Sequence, residues 1–393
     1  MGDGVGFSVL VTTTGRETLG AALASVAREW DAARDEVVVL HDGVATSATR
    51  ALWEASGLVG EGLAGRWIEL EEGPHGDWGH TPRNRGLSVC GREWVVHLDD
   101  DDALAMGALD VLRRAVLRQE AARGPRLLVP RMVKANGERV WTKPEFVEGQ
   151  VGTGNLVHPT GLARGEFAAR YGGDFEFARS LRERNAGLEI EFLPEVTYLV
   201  RPEETVGRET FRDLSGLDGE WGREDFQGGW QMRLARCLPG GSWLDVGSGL
   251  GGSRARLEAA GHAVTLQDVG PGLPVDLREP VERLPTGGWE VVSAFDVVEH
   301  VVEDGAFLRE LVRVARRAVV VTTPNVWVSR CRNPHHVREY SPPGLAWRLQ
   351  TLEGVTRCRW FAGDARGKRV VQVEASAWGR EERAALGVVV EVG

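Results

Sequence analysis

Twice along this chain, short runs of apolar and β-branched residues alternate with amphipathic stretches, and that rhythm restricts the fold more than any other feature. The first series opens at Phe7–Thr13, read as a strand, then a helix over Thr18–Trp30 and a strand over Glu36–Leu40. Trp67–Leu70 and Trp94–Leu98 continue it, with a helix over Pro82–Cys90 between them. The second series starts at Ser242–Val246 and runs through a helix at Ser253–Ala260 to strands at Ala263–Gln267, Val291–Phe295 and Ala318–Thr322, with a helix over Asp304–Arg317. Arg357–Phe361 and Val370–Ala375 read as two closing strands joined by a turn at Gly363–Gly367, an antiparallel edge. Strands alternating with helices imply a mostly parallel sheet, because parallel neighbours need a crossover that covers the sheet. A chain of 393 residues also exceeds one ordinary core, so two α/β domains are expected.

Between the series lies a polar stretch rich in Gly and Glu, Pro202 to Gly229, studded with Phe211, Trp221 and Phe226 and followed by Trp230. The boundary is placed near Thr205, giving domains over 1–205 and 206–393. Residues 206–240 are read as a connecting helical segment that covers the second sheet.

Composition removes several function classes. No apolar run approaches the roughly 20 residues that span a bilayer, and the N-terminus shows no basic region ahead of an apolar segment. Cys90, Cys237, Cys331 and Cys358 are scattered without a CxxC pair, so neither a disulfide framework nor a zinc knuckle is expected. A cytoplasmic enzyme without a membrane span is the expectation. The formal charge of −10 argues against a nucleic-acid partner, whose affinity comes largely from phosphate neutralisation.

In the second half, Trp243-Leu-Asp245-Val-Gly247-Ser-Gly249-Leu-Gly251-Gly252 follows a strand and opens a helix. Glycines suit a tight turn that a cofactor approaches closely. Alone the loop is ambiguous, since Gly247, Gly249 and Gly252 also satisfy the dinucleotide pattern GxGxxG, and a turn with no ligand role is a third reading. Asp245 offers a carboxylate to an ammonium group, and Asp268 closes the next strand where it can accept from ribose hydroxyls. Phe295-Asp296-Val-Val-Glu299-His300-Val follows, then Thr323-Pro324-Asn325 and Asn333-Pro-His335-His336-Val-Arg-Glu-Tyr340-Ser. In order and spacing this series resembles the class I S-adenosylmethionine-dependent methyltransferases, from about Thr210 to the C-terminus. The resemblance implies S-adenosylmethionine as cofactor, with Asp276 beside the adenine and Asp296 lining the cleft. A hydroxyl acceptor also needs a base. His300, His335 and His336 are the candidates, with structural roles at a strand end or lid left open.

In the first half, Trp94-Val-Val-His-Leu98-Asp99-Asp100-Asp101-Asp102 is a strand running into four consecutive aspartates. Like charges so close repel unless a cation or solvent relieves them, and either an acidic turn or a divalent metal site answers the pattern. Gly79-His-Thr-Pro-Arg83-Asn84-Arg85-Gly86-Leu87 precedes it by one helix length, Thr12-Thr13-Thr14 ends the opening strand, and Val39-Leu40-His41-Asp42-Gly43 ends the second. Together these resemble the family-2 glycosyltransferases of GT-A fold, over about Phe7 to Arg201. The resemblance implies a nucleotide-sugar donor held by Thr12, Asp42, Arg83, Asn84 and Asp99. Asp101 and Asp99 would ligate Mn²⁺ or Mg²⁺, with Asp102 as a further ligand or supporting group. Asp174 would be the base that deprotonates the acceptor, although Gly173 stands where the family more often has a second acid and an N-cap role competes. Trp78 and His158 are candidates to flank the sugar.

The expectation is therefore α/β with two Rossmann-like domains, an N-terminal GT-A fold and a C-terminal class I methyltransferase fold. The function expected is transfer of a sugar and of a methyl group to a glycan, glycoconjugate or small-molecule acceptor. Two alternatives stay open: only one domain is catalytic and the other binds, or the acceptor is a nucleic-acid base.

Overall fold

The computed structural model describes residues 5–60, 64–118, 124–135, 137–162, 165–170, 172–202, 224–329, 336–363, 370–373 and 385–393, with the backbone alone over 224–228. The chain divides into two compact units, essentially 1–203 and 204–393. Thr205, Phe211 and Trp221 lie outside the described residues, as do His335 and Cys331.

The first unit begins with β1 (Phe7–Thr13), α1 (Leu19–Glu29), β2 (Glu36–Asp42), α2 (Ser47–Glu54) and β3 (Gly65–Leu70). It continues with α3 (His80–Gly86), β4 (Trp94–Asp99), β5 (Ala103–Leu104), α4 (Ala108–Leu117), β6 (Arg126–Lys134), β7 (Arg139–Val140), β8 (Val157–Pro159), α5 (Gly173–Arg184) and β9 (Glu189–Val200). Among the described residues the sheet runs β3-β2-β1-β4-β8-β6-β9-β5, with β7 beside β6. β1, β2, β3 and β4 are mutually parallel, whereas β8 is antiparallel to both β4 and β6. The parallel half is buried on both faces: Val9, Val11, Val37 and Val39 join one core, and Leu10, Val38 and Leu40 join the other. That double burial explains why β2 reads Val-Val-Val-Leu with no polar alternation.

The second unit comprises α6 (Glu224–Ala235), β10 (Ser242–Val246), α7 (Arg254–Ala259), β11 (Ala263–Gln267), β12 (Trp289–Phe295), α8 (Asp304–Val314) and β13 (Ala315–Pro324). α9 (Val326–Ser329), α10 (Pro342–Gln350), β14 (Val355–Gly363), β15 (Val370–Val373) and β16 (Ala385–Val392) complete it. The order is β11-β10-β12-β13-β16-β14-β15. The first four are parallel, and β16 is antiparallel to both β13 and β14. α10 starts on a Ser341 cap, whose Oγ accepts from the Gly344 N–H at 3.3 Å, with proline in its first turn.

Two closing strands were expected, and the structure corrects this with a third. β16 inserts between β13 and β14, and its Val388, Val389 and Val390 are fully buried. A strand buried on both faces shows no period of two, so its Gly-Val-Val-Val-Glu-Val run carried no strand pattern beyond its apolarity.

Trp230 on α6 is 1% exposed and lies over two strand glycines. A Cβ on Gly387 would stand 2.6 Å from the indole, and one on Gly363 would overlap it outright. These two glycines are absences of side chain that seat a large ring. Gly387→Ala is expected to cost about 1–3 kcal/mol through overpacking. The cost should shrink by at least about 0.5 kcal/mol in a Trp230→Leu background, because the two changes share one space. Denaturant unfolding of the four chains measures this, and strictly additive effects would contradict the seat.

Candidate functional site

In each unit several acids named from the sequence stand at the carboxyl ends of adjacent parallel strands: Asp42 and Asp99 in the first, and Asp245, Asp268 and Asp296 in the second. β1 lies between β2 and β4, and β10 lies between β11 and β12. Successive crossovers leave the first strand in opposite directions, which opens a crevice at the strand ends.

In the first unit that crevice is a cavity of about 350 Å³. Its lining includes Thr12, Thr13, Asp42, Asp99, Asp100 and Asp101 from the strand ends, Trp78 and Gly79 from the loop before α3, and Arg16 and Arg201. Register places Thr12 beside Asp99 across β1 and β4, and the Thr12 hydroxyl donates to Asp99 Oδ1 at 3.2 Å. Arg83, 2% exposed, ion-pairs with Asp99 and donates to the Trp78 carbonyl at 2.6 Å. Asp100 accepts from the Thr13 hydroxyl at 2.7 Å and the Thr14 N–H at 3.3 Å. Asp101 meets Arg16 at 2.6 Å and Arg201 at 3.4 Å.

The four aspartates thus meet their repulsion with arginines at Asp99, Asp100 and Asp101 and with neutral hydrogen-bond donors at Asp102. Asp102 points inward, 8% exposed, accepting from the Tyr198 hydroxyl at 2.6 Å and the Arg201 N–H at 2.8 Å. Burial pushes its pKa up to about 7, against the lowering effect of the Tyr198 hydrogen bond. That placement suits the supporting role rather than the ligand role expected as alternatives for Asp102: it ties β9 to the strand end.

Asp42, 4% exposed, is wrapped by the 73–75 segment. His75 donates its N–H to Oδ2 at 2.9 Å and sets Nδ1 2.5 Å from Oδ1, and this hydrogen bond raises the imidazole pKa. Trp78 is a non-glycine residue at φ +59° yet 60% exposed, a strained backbone carrying an aromatic face at the cavity rim. Asn84 and His158 turn elsewhere. Asn84 clamps Phe167, donating to its carbonyl and accepting from its N–H, both at 2.9 Å. His158 is buried against His97, with Nε2 atoms 3.2 Å apart, and burial depresses its pKa to about 4. Asp174 is in the first turn of α5 but Gly172 takes the N-cap position, so the competing N-cap reading fails. Asp174 is half-buried, accepts from the Thr153 N–H at 3.2 Å, and is not among the residues lining the cavity.

In the second unit Gly247, Gly249 and Gly251 all have positive φ, at 69°, 55° and 75°, which L side chains rarely adopt. The loop folds onto the next strand end. Asp268 Oδ2 accepts from the Gly249 N–H at 2.9 Å and Oδ1 from the Gly270 N–H at 2.8 Å. Asp245 is 2% exposed and accepts from Ser253 and from the Ser293 hydroxyl, the latter at 2.6 Å; burial lifts its pKa to about 6. Its two oxygens thereby tie the glycine loop, through Ser253, to β12, through Ser293. Asp276 accepts from the Leu266 N–H at 2.8 Å, which keeps its pKa low, and pairs with Arg254. Asp296 ends β12 at φ +53° and accepts from the Thr322 hydroxyl at 2.9 Å. Leu250 and Val269, 83% and 64% exposed, flank this edge as apolar surface.

Beyond Asp296 a single 3₁₀ turn, Val298–His300, brings Glu299 and His300 to the 336–340 segment. The His300 and His336 rings stand nearly perpendicular, with centroids 4.7 Å apart. Glu299 is 1% exposed, and burial, reinforced by the Asp296 charge, raises its pKa well above the usual range. The Thr323 hydroxyl faces it and its own backbone lies near, but neither Glu299 oxygen makes a well-formed hydrogen bond.

The sequence reading missed Arg16, His75, Arg201 and Tyr198. The first three are loop or strand-end residues with no periodic signal, and Tyr198 reads as one more apolar position in a long strand.

No family model matches the chain, and no curated protein does. Solved structures do resemble it. TarS from S. aureus, a GT-A-type glycosyltransferase, covers 50% of this chain at 18% identity and TM-score 0.40, and this chain covers 36% of it. A second TarS structure, in complex with UDP-GlcNAc, covers 59% at 18% identity and the same score, with 66% of that chain matched. A SAM-dependent methyltransferase from Aquifex aeolicus covers 46% at 18% identity and TM-score 0.32, and is itself matched over its whole length. The chain is thus similar to two kinds of α/β protein, each over about half its length. No helix among the described residues is long and apolar enough to cross a membrane.

An acid whose pKa rises on folding stabilises the protein below its unfolded value, and that contribution is lost as pH climbs through the folded value. For Asp102 the window runs from about 3.8 to about 7. Melting temperature should therefore decline less between pH 5 and pH 8 in Asp102→Asn than in the parent chain. Parallel declines in the two proteins would contradict the buried, proton-holding placement.

Proposed function

We propose that the chain is a bifunctional transferase: its first unit moves a sugar from a nucleotide-sugar donor, and its second moves a methyl group from S-adenosylmethionine to a glycan or glycoconjugate hydroxyl. The observation that carries this reading is the contrast between the two strand-edge crevices. The first mixes five aspartates, Asp42, Asp77, Asp99, Asp100 and Asp101, with Arg16 and Arg201 around its cavity. In the second, among the described residues, Asp245 and Asp268 are held through serines and backbone N–H groups, while Arg254 pairs with the more exposed Asp276. Acids interleaved with arginines suit an anionic diphosphate that arrives with a divalent cation. Acids held by neutral donors keep their negative field and suit a cationic ligand, which a sulfonium bearing an ammonium group is.

In the first unit the residues fit the donor in named roles. Asp42 takes the base once His75 yields it, and Asp99, fixed by Arg83 and Thr12, takes the ribose side. Asp101 offers its carboxylate to the cation when Arg16 and Arg201, both more than half exposed, turn to the phosphates. A cation held there neutralises charge on the departing nucleoside diphosphate. Trp78 presents its ring to the sugar. Asp174, at the start of α5, takes the acceptor proton.

In the second unit a Cβ on Gly249 would meet nothing within 4 Å, so the space above the loop is free for a ligand. Asp268 and Asp276 border the ribose and adenine, and Leu250 and Val269 offer apolar faces to the base. The sulfonium supplies an already activated methyl, so this chain's task is alignment and exclusion of water. His300 and His336, grouped with Glu299 just past Asp296 in the chain, take the acceptor side in this reading.

Two substitutions separate these roles from mere folding. Asn tolerates a left-handed backbone, so Gly249→Asn should keep the melting temperature within a few degrees while weakening S-adenosylmethionine at least tenfold by calorimetry. Unchanged affinity, or NADH bound in its place, would overturn the cofactor assignment. For the first unit, mass spectrometry of products from a nucleotide-sugar panel should show turnover with Mn²⁺ that falls at least tenfold in chelator and in Asp101→Asn. Equal turnover in all three would remove the cation from the reading.

A further inference from the structure

Neither oxygen of the buried Glu299 carboxylate makes a well-formed hydrogen bond, although the Thr323 hydroxyl faces it, and a charge-capable group so fully withdrawn from water ordinarily has one. Its surroundings supply an answer. One ligand atom each from Glu299, His300 and His336 lie within 4.8 Å of one another, close enough for a single ion to touch all three. His336 is already oriented as a ligand, because its Nδ1 lies 2.6 Å from Glu339 Oε1, leaving Nε2 for another partner. A carboxylate behind the far ring nitrogen is the usual support for a metal-bound imidazole.

The segment that carries His336 is held from three sides. Val337 and Arg338 donate their N–H groups to the Glu299 carbonyl at 2.7 and 3.2 Å. Tyr340 donates its hydroxyl to Asp304 at 2.6 Å, where Arg338 and Arg348 also reach, at 2.9 and 3.2 Å. Val326 donates to the Tyr340 carbonyl at 3.0 Å. Such bracing far exceeds what a surface loop requires and fixes His336 against Glu299 and His300.

We propose that Glu299, His300 and His336 form a binding site for one borderline divalent metal ion, of the class of Zn²⁺, Co²⁺ or Fe²⁺, with Glu339 as the positioning residue behind His336. Two imidazoles and one carboxylate select such ions over Mg²⁺ or Ca²⁺, which prefer oxygen throughout. Three protein ligands leave at least one position open. This site is chemically distinct from the all-oxygen cluster at Asp99 and Asp101 in the first unit. Its role rests on the methyl-transfer reading: the open position takes the acceptor hydroxyl and acidifies it. The hydroxyl proton leaves to solvent, the C–S bond breaks as the O–CH₃ bond forms, and the sulfonium becomes a neutral thioether.

The test reads metal binding itself, so its failure is separable from failure of the methyl-transfer reading. The full chain, stripped with chelator, is titrated with Co²⁺ and followed by visible absorption, where imidazole-ligated Co²⁺ absorbs far more strongly than Co²⁺ among carboxylates and water. One equivalent should give the band, and Zn²⁺ should bleach it. Glu299→Gln and His336→Ala should each abolish the band, with folding checked by melting temperature. Glu339→Gln should keep the band but weaken Co²⁺ about 10–100-fold, and Asp101→Asn should leave it intact. A band that survives both ligand substitutions, or one lost in Asp101→Asn, overturns the site. So does a stripped chain that gives no band at all.

Discussion

A carboxylate taken out of water must find donors, and much of the functional edge of both units follows from how that demand is met. Asp245 draws in Ser253 and Ser293, and Asp268 draws the Gly249 and Gly270 amides onto the end of β11. In the first unit Asp42 wraps itself in the 73–75 segment, Asp99 takes Arg83, and Asp102 takes Tyr198. The parallel sheet beneath brings the strand ends together, and the donors chosen there decide which charge of ligand each crevice can accept.

The kind of donor separates the two units. Guanidinium partners neutralise an acid while remaining able to swing to an anion, and Arg16 and Arg201 are exposed enough to do so. Hydroxyl and amide partners stabilise an acid without cancelling its field. On the proposed reading, two sheets with the same kind of edge take ligands of opposite charge because of a handful of neighbouring side chains.

Much of this was legible in the sequence. Strand ends such as Thr12, Asp42, Asp99 and Asp268 stand where an apolar run meets a polar residue, and the structure places each at a carboxyl edge. The glycine loop was legible because positive φ at Gly247, Gly249 and Gly251 leaves a residue-type signature. What escaped was long-range pairing. Nothing local says that Asn84 clamps Phe167, that His158 meets His97, or that Asp102 turns toward Tyr198, 96 residues away. The Asp run read as a cluster in need of a cation, and the cations nearest it are arginines from α3, the loop after β1 and the end of β9. Glu299 read as part of a motif, while its burial without a well-formed hydrogen bond depends on the 336–340 segment folding over it.

If one chain carries two separate ligand sites, each must fill without regard to the other. Native mass spectrometry of the full chain with S-adenosylmethionine, a nucleoside diphosphate and Mn²⁺ reads this in one experiment. One S-adenosylmethionine and one metal-bound diphosphate should appear on the same molecule, each with unchanged occupancy when the other is present. Mutual displacement, or a chain that binds two copies of one ligand and none of the other, would contradict that independence.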